Sequence, residues 1–518
     1  MNRLVAAIIS VAILTATSFA QSAATADPVV RLDAGVVSGL SGWKTAAYLG
    51  IPFAAPPVGV KRWIAPAAVR PWTGVRDATH LAAACATVGF GDGPRNTNED
   101  CLYLNVYAPL NAKRGDTLPV MVFFHGGGNL SGSPLIYDGA RMAEVTHAVV
   151  VIPAYRLGVF SSLVLPSAGD NGGTLILQDN LAALHWVQRN AAAFGGNPRD
   201  VTISGESSGG TNVCNLLAAP SAARLFRQAI IQSGSCSGNG FGSVSLATMQ
   251  AASKAFATSV GCTSNDPEPC LRAKPAGELM DAWKARSGTA YGTTLLPLDP
   301  VIAFKTGRIN KVPLLIGFNR DEWWPFEHGL VPLTPDGLQK QFASTFGDRA
   351  AAVAALYPEA NFPHREYALG AAVGDALIIC PSLEIANALA ARVPVSVYEF
   401  ADRTVPPFKS LNPANAQPRP PGYSGGAGHT SELQYLYAYQ AAEGPLNATQ
   451  RRLGDEMIQH WVAFNRATPP VWPPYTAARP VVTQIGADGI HFVPKTNVAE
   501  EHHCGYWKTA GPPPSVGL

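Results

Sequence analysis

Two adjacent serines, Ser207 and Ser208, stand in the stretch VTISGESSGGTNVCNL, residues 201–216. The residues ahead of them, DVTIS, read as a strand, and TNVCNLLAA after them reads as a helix. A serine at a strand-to-helix turn, with a glycine two residues before and two after, is the nucleophile elbow of acyl-transfer chemistry. The glycines let neighbouring backbone come close and relieve a strained turn. Centred on Ser207 the pattern holds, with Gly205 and Gly209 in place. Centred on Ser208 it fails, because Glu206 takes the earlier glycine's position. Ser207 is therefore the candidate nucleophile. Ser208, at the helix start, can offer its backbone N–H to an oxyanion.

Acyl transfer also needs donors aimed at the developing oxyanion, each worth roughly 3–4 kcal/mol. VFFHGGGNL supplies a strand followed by His125, Gly126, Gly127 and Gly128. This is the HGGG-type element that pairs with the elbow. The N–H groups of Gly127 and Gly128 are the candidate donors beside Ser208. His125 reads as a residue that shapes this loop rather than one that moves protons.

The elements that must hold these residues are legible as patterns. LPVMVFFHG, AVVVIPAYR, DVTISGES and FRQAIIQSG are apolar runs suited to strands buried on both faces. LILQDNLAALHWVQRNAAAF repeats its apolar residues at helical spacing. Alternating strands and helices predict an α/β fold with a large, mainly parallel central sheet flanked by helices. Residues 405–428 form a Pro/Gly-rich loop, but element-like patterns resume beyond it. Residues 27–518 are read as a single domain.

The chain has 518 residues, is 47% hydrophobic and 14% charged, and carries a formal charge of +2, with no basic stripe. That is a globular composition, and it argues against a nucleic-acid partner. The first 26 residues combine Arg3, an apolar core and small residues, which predicts a signal peptide cleaved after Ala20 or Ala26. No other run reads as long enough to span a bilayer, so no membrane span is expected after signal removal. Export to the periplasm or medium makes the eight cysteines candidates for disulfides. EEHHC, residues 500–504, has metal-ligand residue types, but a Cys504 held in a disulfide is not a thiolate ligand. No metal site and no cofactor are expected. Asn129 and Asn447 begin glycosylation sequons.

With these motifs in view, the chain resembles the carboxylesterase type B family, the cholinesterase-like α/β-hydrolases. The likeness runs from about residue 30 to 508. It is carried by YLGIPFAAPPVGVKRW, EDCLYLNVYAP, FGGNPRDVTISGESSGG, LFRQAIIQSGS, LLIGFNRDE, GHTSELQYLY and WVAFNRATPPVWPPY. The resemblance implies an α/β-hydrolase fold and a triad in the order Ser, acid, His. LLIGFNRDEWW matches the segment that bears the family's acid, which implies Glu322. Trp323 replaces the usual glycine there. Read from the residues alone, Asp321 and Glu322 would be a solvated acidic pair. GAGHTSELQYLY matches the histidine segment and implies His429. Glu206 is implied to lie beside the triad, where it could stabilise charge on His429 or disfavour anions. Ser233 matches a position that hydrogen-bonds near the triad, or is simply a polar strand-end residue. The resemblance also pairs Cys85 with Cys101, Cys262 with Cys270, and Cys380 with Cys504. Cys214 and Cys236 remain, and are expected to pair.

The implied reaction is ester hydrolysis through an acyl-enzyme on Ser207, with a small-molecule ester as partner. Amidase or lactonase chemistry on the same triad is an alternative, as is a non-catalytic binding protein of the same fold. In cholinesterases the loop between the first two cysteines is long and carries a tryptophan for the choline ammonium. Here residues 86–100 are short, lack Trp, and offer Phe90 as their only aromatic. No choline specificity is expected.

Overall fold

The computed structural model describes residues 27–89, 95–234, 236, 243–326, 333–407, 424–439, 442–464, 466 and 471–513. The expected signal peptide, Phe90 and most of the Pro/Gly-rich loop lie outside the described residues.

The Val-, Ile- and Phe-rich runs form the middle of an 11-stranded sheet. In chain order its strands are β1 (Leu40–Ser41), β2 (Thr45–Pro52), β3 (Tyr103–Pro109), β4 (Leu118–Phe124), β5 (Val149–Pro153), β6 (Gly196–Glu206), β7 (Gln228–Gln232), β8 (Leu314–Asn319), β9 (Val395–Phe400), β10 (Val481–Gly486) and β11 (Gly489–Pro494). Their spatial order is β11-β10-β9-β8-β7-β6-β4-β5-β3-β2-β1. Pairing is parallel from β5 through β4, β6, β7, β8 and β9 to β10, and antiparallel at both margins.

Strand side chains alternate between faces, and two separate cores result. Val120, Val122, Val201, Ile203, Ala229, Ile231, Leu314 and Ile316 point to one core. Met121, Phe123, Val150, Ile230 and Leu315 point to the other. The first is covered by α1 (Leu175–Asn190), α2 (Ser208–Ala218), α3 (Glu366–Gly374) and α4 (Cys380–Leu389). The second is covered by α5 (Ala448–Ala463) through Met457, Ile458 and Trp461. Strands covered on both faces explain why the sequence shows continuous apolar runs rather than alternation.

Between α3 and α4, residues Asp375–Ile379 make a π-helical turn. Pro381 cannot donate to the Leu377 carbonyl, and its ring crowds that turn, which accounts for the widening. The combined helix Glu366–Leu389 has 24 residues, and its most apolar 18-residue stretch has a mean hydropathy of 1.6. By length and composition it is long and apolar enough to cross a membrane, unlike the reading that no other run is long enough. In the sequence, Gly370, Gly374, Asp375 and Pro381 interrupt its apolar run. Its most apolar stretch is 83% buried inside the protein, where it forms core. Disulfides join Cys85 to Cys101, Cys214 to Cys236, Cys262 to Cys270 and Cys380 to Cys504. The last fastens α4 to α6 (Cys504–Ala510).

The parallel strands all release their loops at one end of the sheet. That is where open α/β sheets collect functional residues, and the candidate residues emerge there from β4, β6, β7, β8 and beyond β9.

Candidate active site

Strand β6 ends at Glu206 and helix α2 begins at Ser208, so Ser207 makes the whole turn. Its φ of 57° and ψ of −125° lie in a region L-residues avoid, at a cost of about 1–3 kcal/mol. Hydrogen bonds lock it there: Ser207 N donates to Gln232 O at 2.9 Å, and Thr211 N donates to Ser207 O at 3.0 Å. The flanking residues are buried, whereas Ser207 is half-buried and reachable. Gly209 is sterically required, because a Cβ there would stand 2.0 Å from Phe124 O.

The loop after β4 carries Gly127 at φ 113° and Gly128 at φ 64°, both in the left-handed half of backbone space. Leu130 N, Ser131 N and Ser131 Oγ all donate to Gly127 O, at 3.1, 3.0 and 3.0 Å. The N–H groups of Gly127, Gly128 and Ser208 have no acceptor among the described residues, and so remain available to an oxyanion. Asn129 N donates to Ser208 Oγ at 3.2 Å, which ties this loop to α2. His125 is buried, stacks on Tyr155 with ring centroids 4.3 Å apart, and bonds Gly126 O through Nδ1 at 2.8 Å. Burial lowers its pKa to about 4, against the pull of that hydrogen bond. A neutral, boxed-in imidazole is a loop support.

Glu322 and His429, 107 residues apart, are joined by a bond of 2.6 Å from His429 Nδ1 to Glu322 Oε2. The other carboxylate oxygen accepts from Asn319 N at 2.8 Å. His429 N also donates to Glu322 O at 3.2 Å. Asp321 is the zip between the two loops. It accepts from Ala427 N at 2.9 Å and from Arg403 Nε and Nη2 at 2.8 and 2.7 Å. Neither acid is solvated; both are buried. Gly374 of α3 presses on the acid loop from below, a Cβ there meeting Glu322 Cβ at 3.1 Å. The Phe326 ring lies 5.4 Å from that of His429.

The far nitrogen, His429 Nε2, stands 3.2 Å from Glu206 Oε1. Among the described residues no hydrogen bond joins it to Ser207 Oγ; unliganded sites often leave this bond long and close it on substrate binding. A third carboxyl, Glu432, lies behind, accepting from Asn319 Nδ2 at 2.6 Å and Gln232 Nε2 at 3.1 Å. Burial, aided by Glu432 and Glu322 and opposed by His429, raises the Glu206 pKa to about 8. Burial likewise raises Glu432 to about 7, with Glu322 adding to it while Asn319 and His429 oppose. For His429 burial works the other way, but Glu206, Glu322 and Glu432 outweigh it and raise the pKa to about 9. The cluster thus holds more protons near neutrality than these residue types hold in water.

Ser233 differs from the expectation that its hydroxyl bonds near the triad. Its Oγ is buried without a hydrogen-bond partner among the described residues. Sequence reasoning missed Glu432, Asn319 and Gln232. The available signal was a polar residue closing an otherwise apolar strand, as in QAIIQ and LLIGFN. Asn129, one sequon, is buried and accepts from Asn212 Nδ2 at 3.2 Å, so it offers no room for a glycan.

In the EEHHC stretch, Glu501 and His502 meet Glu399 closely enough to suggest a metal site. These groups are already engaged. His502 bonds Asp375 at 2.7 Å and Glu399 at 3.1 Å, while Arg320 bridges Glu399 and Glu501 at 3.6 and 2.8 Å. Cys504 is in its disulfide.

Residues 26–507 match the carboxylesterase family. The chain is 32% identical to the cocaine esterase of Oryctolagus cuniculus over 81% of its own length and 82% of the relative's. It is 32% identical to an acylcarnitine hydrolase of Rattus norvegicus, over 81% and 78% of the two chains. With the fumonisin B1 esterase of Sphingopyxis macrogoltabida it shares 31% identity over 92% and 90%. Family match, α/β-hydrolase sheet and relatives agree: this chain belongs to the carboxylesterase family and is a carboxylic ester hydrolase.

Proposed function

We propose that hydrolysis runs through an acyl-enzyme on Ser207. The imidazole of His429 turns from Glu206 to Ser207 Oγ as substrate enters, and takes its proton as Oγ attacks the ester carbonyl. The N–H groups of Gly127, Gly128 and Ser208 hold the oxyanion. His429 then protonates the leaving alcohol. Water, deprotonated by the same imidazole, cleaves the acyl-Ser207 ester and frees the acid. Glu322 fixes the ring through Nδ1 and favours the imidazolium of each transition state, with Glu206 adding negative charge on the other side. The observation that carries this reading is the 2.6 Å His429–Glu322 bond beside a strained, reachable Ser207.

Relatives named for cocaine, acylcarnitine and fumonisin B1 indicate that one scaffold serves varied esters. For this chain a bulky neutral or mildly polar ester fits best. Choline is disfavoured. Trp323 and Trp324, the alternative aromatics after the acid, are both buried: Trp323 has the Phe326 ring 4.4 Å away, and Trp324 stacks on Tyr367 at 4.4 Å with Arg403 5.1 Å from its ring. Four disulfides suit an oxidising compartment, which supports export to the periplasm or medium. The decisive experiment is treatment with an aryl organophosphate followed by peptide mass mapping. The adduct belongs on Ser207 and disappears in Ser207→Ala; an adduct that persists in that variant places the nucleophile elsewhere.

A further inference from the structure

Asn129 directly follows the two oxyanion glycines, and its backbone is left-handed at φ 57°. It is buried and bonded on every side. Its N–H donates to Ser208 Oγ at 3.2 Å, its side-chain carbonyl accepts from Asn212 Nδ2 at 3.2 Å, and its backbone carbonyl accepts from Gly158 N at 2.7 Å. Ser208 and Asn212 are four residues apart on α2 and share one helix face. The Tyr155 side chain interacts with both of them, and its hydroxyl donates to His125 O at 2.6 Å at the other end of the glycine run. The glycines between these anchors have no side chain with which to hold their own place.

The oxyanion donors come from two pieces of chain, the loop after β4 and the start of α2. Their spacing is set by whatever fastens one piece to the other. We propose that the Ser208 hydroxyl is a positioning group for catalysis: by accepting the Asn129 N–H it fixes the Gly127 and Gly128 donors at working distance from the N–H of Ser208 itself. One residue then serves the oxyanion through its backbone and sets the geometry of the other donors through its side chain. Alanine at this position would keep the first role and lose the second, leaving Asn129 N–H buried without an acceptor. Of the two described bonds from Asn129 to α2, only the one from Asn212 would then remain. Because oxyanion stabilisation is used in the transition state, a loosened donor set lowers kcat rather than raising KM.

This inference rests on the proposed serine mechanism, and its test separates the two. Wild type, Ser208→Ala, Ser208→Thr and Asn212→Ala are compared on an aryl ester, and with an aryl trifluoromethyl ketone, which forms an oxyanion adduct on a serine nucleophile. Ser208→Ala should lower kcat about tenfold with KM within about twofold, and weaken the ketone by about the same factor. Ser208→Thr, which restores a hydroxyl, should recover most of both. If Ser208→Ala does not fold, Asn212→Ala, which cuts the second tie to Asn129, should show the same kcat loss and weakened ketone on a smaller scale. Retention of kcat and ketone affinity within about twofold in the alanine variant overturns the proposal, as does a loss that Ser208→Thr fails to recover or that appears in KM alone. A wild type that the ketone does not inhibit, or that is not labelled at Ser207, instead defeats the serine mechanism beneath it.

Discussion

At the scale of single residues, the site is one imidazole among three buried carboxyls. The arrangement makes its protonation the controlling variable. The base must be neutral to accept from Ser207, and Glu206, Glu322 and Glu432 hold His429 high, at about 9 in the unliganded enzyme. Activity measured as kcat/KM should therefore rise with pH across the neutral-to-alkaline range. Glu206→Gln removes the charge that does most to raise His429, and the rising limb should shift down by about one pH unit. A limb that stays in place would show that Glu206 does not share the proton of His429. Ser207→Ala should reduce kcat by at least about 10³-fold, far more than the about tenfold expected of Ser208→Ala. Of the triad, the nucleophile is the one residue that local sequence specifies. Its signature is steric: Gly209 is required because Phe124 O occupies the place of a Cβ. Glu322 and His429 have no such local mark. Their 107-residue separation is closed only by the sheet, so resemblance alone could point to them. Glu432 bears no mark either, because its role depends on Asn319 and Gln232 arriving from β8 and β7.

At the scale of elements, the central strands were readable because burial on both faces leaves unbroken Val, Ile and Phe runs. Helix α1 was readable through its 3.6-residue period. The helix Glu366–Leu389 was not, because a π-turn and Pro381 interrupt the pattern in its middle. That interruption places Asp375 against His502, and His502 against Glu399 of β9, so a buried ion network supports the helix that backs the acid loop. Burial opposes the charge on His502, but Asp375 and Glu399 outweigh it and hold its pKa well above the ordinary 6.5. A raised histidine contributes stability that is complete below its unfolded pKa and fades as pH climbs through the folded one. His502→Gln should thus destabilise the enzyme by about 3–5 kcal/mol near pH 6, and the gap to wild type should narrow as pH rises. Urea midpoints at several pH values measure it; a gap that is constant, or that widens with pH, would show that His502 is not charged in the folded protein.

At the scale of the whole molecule, the expectations concern the mouth of the site and the chain's covalent closure. A choline ester and its uncharged tert-butyl isostere should give kcat/KM values within about tenfold of each other. A single ammonium–aromatic contact is worth about 2 kcal/mol, or roughly 30-fold, and a choline preference above that would reveal a cation site. Thiol titration of the oxidised enzyme should find no free cysteine, and peptide mapping should join Cys214 to Cys236. Finding two free thiols at that pair would remove this bond without touching the others. The bond between Cys380 and Cys504 spans 124 residues and runs from the helix that presses on Glu322 to α6. Synthesis must therefore reach residue 504 before that helix can be fastened. A polypeptide released early carries Cys380 as an unpartnered thiol, so disulfide machinery could tell an unfinished esterase from a finished one before either has met a substrate.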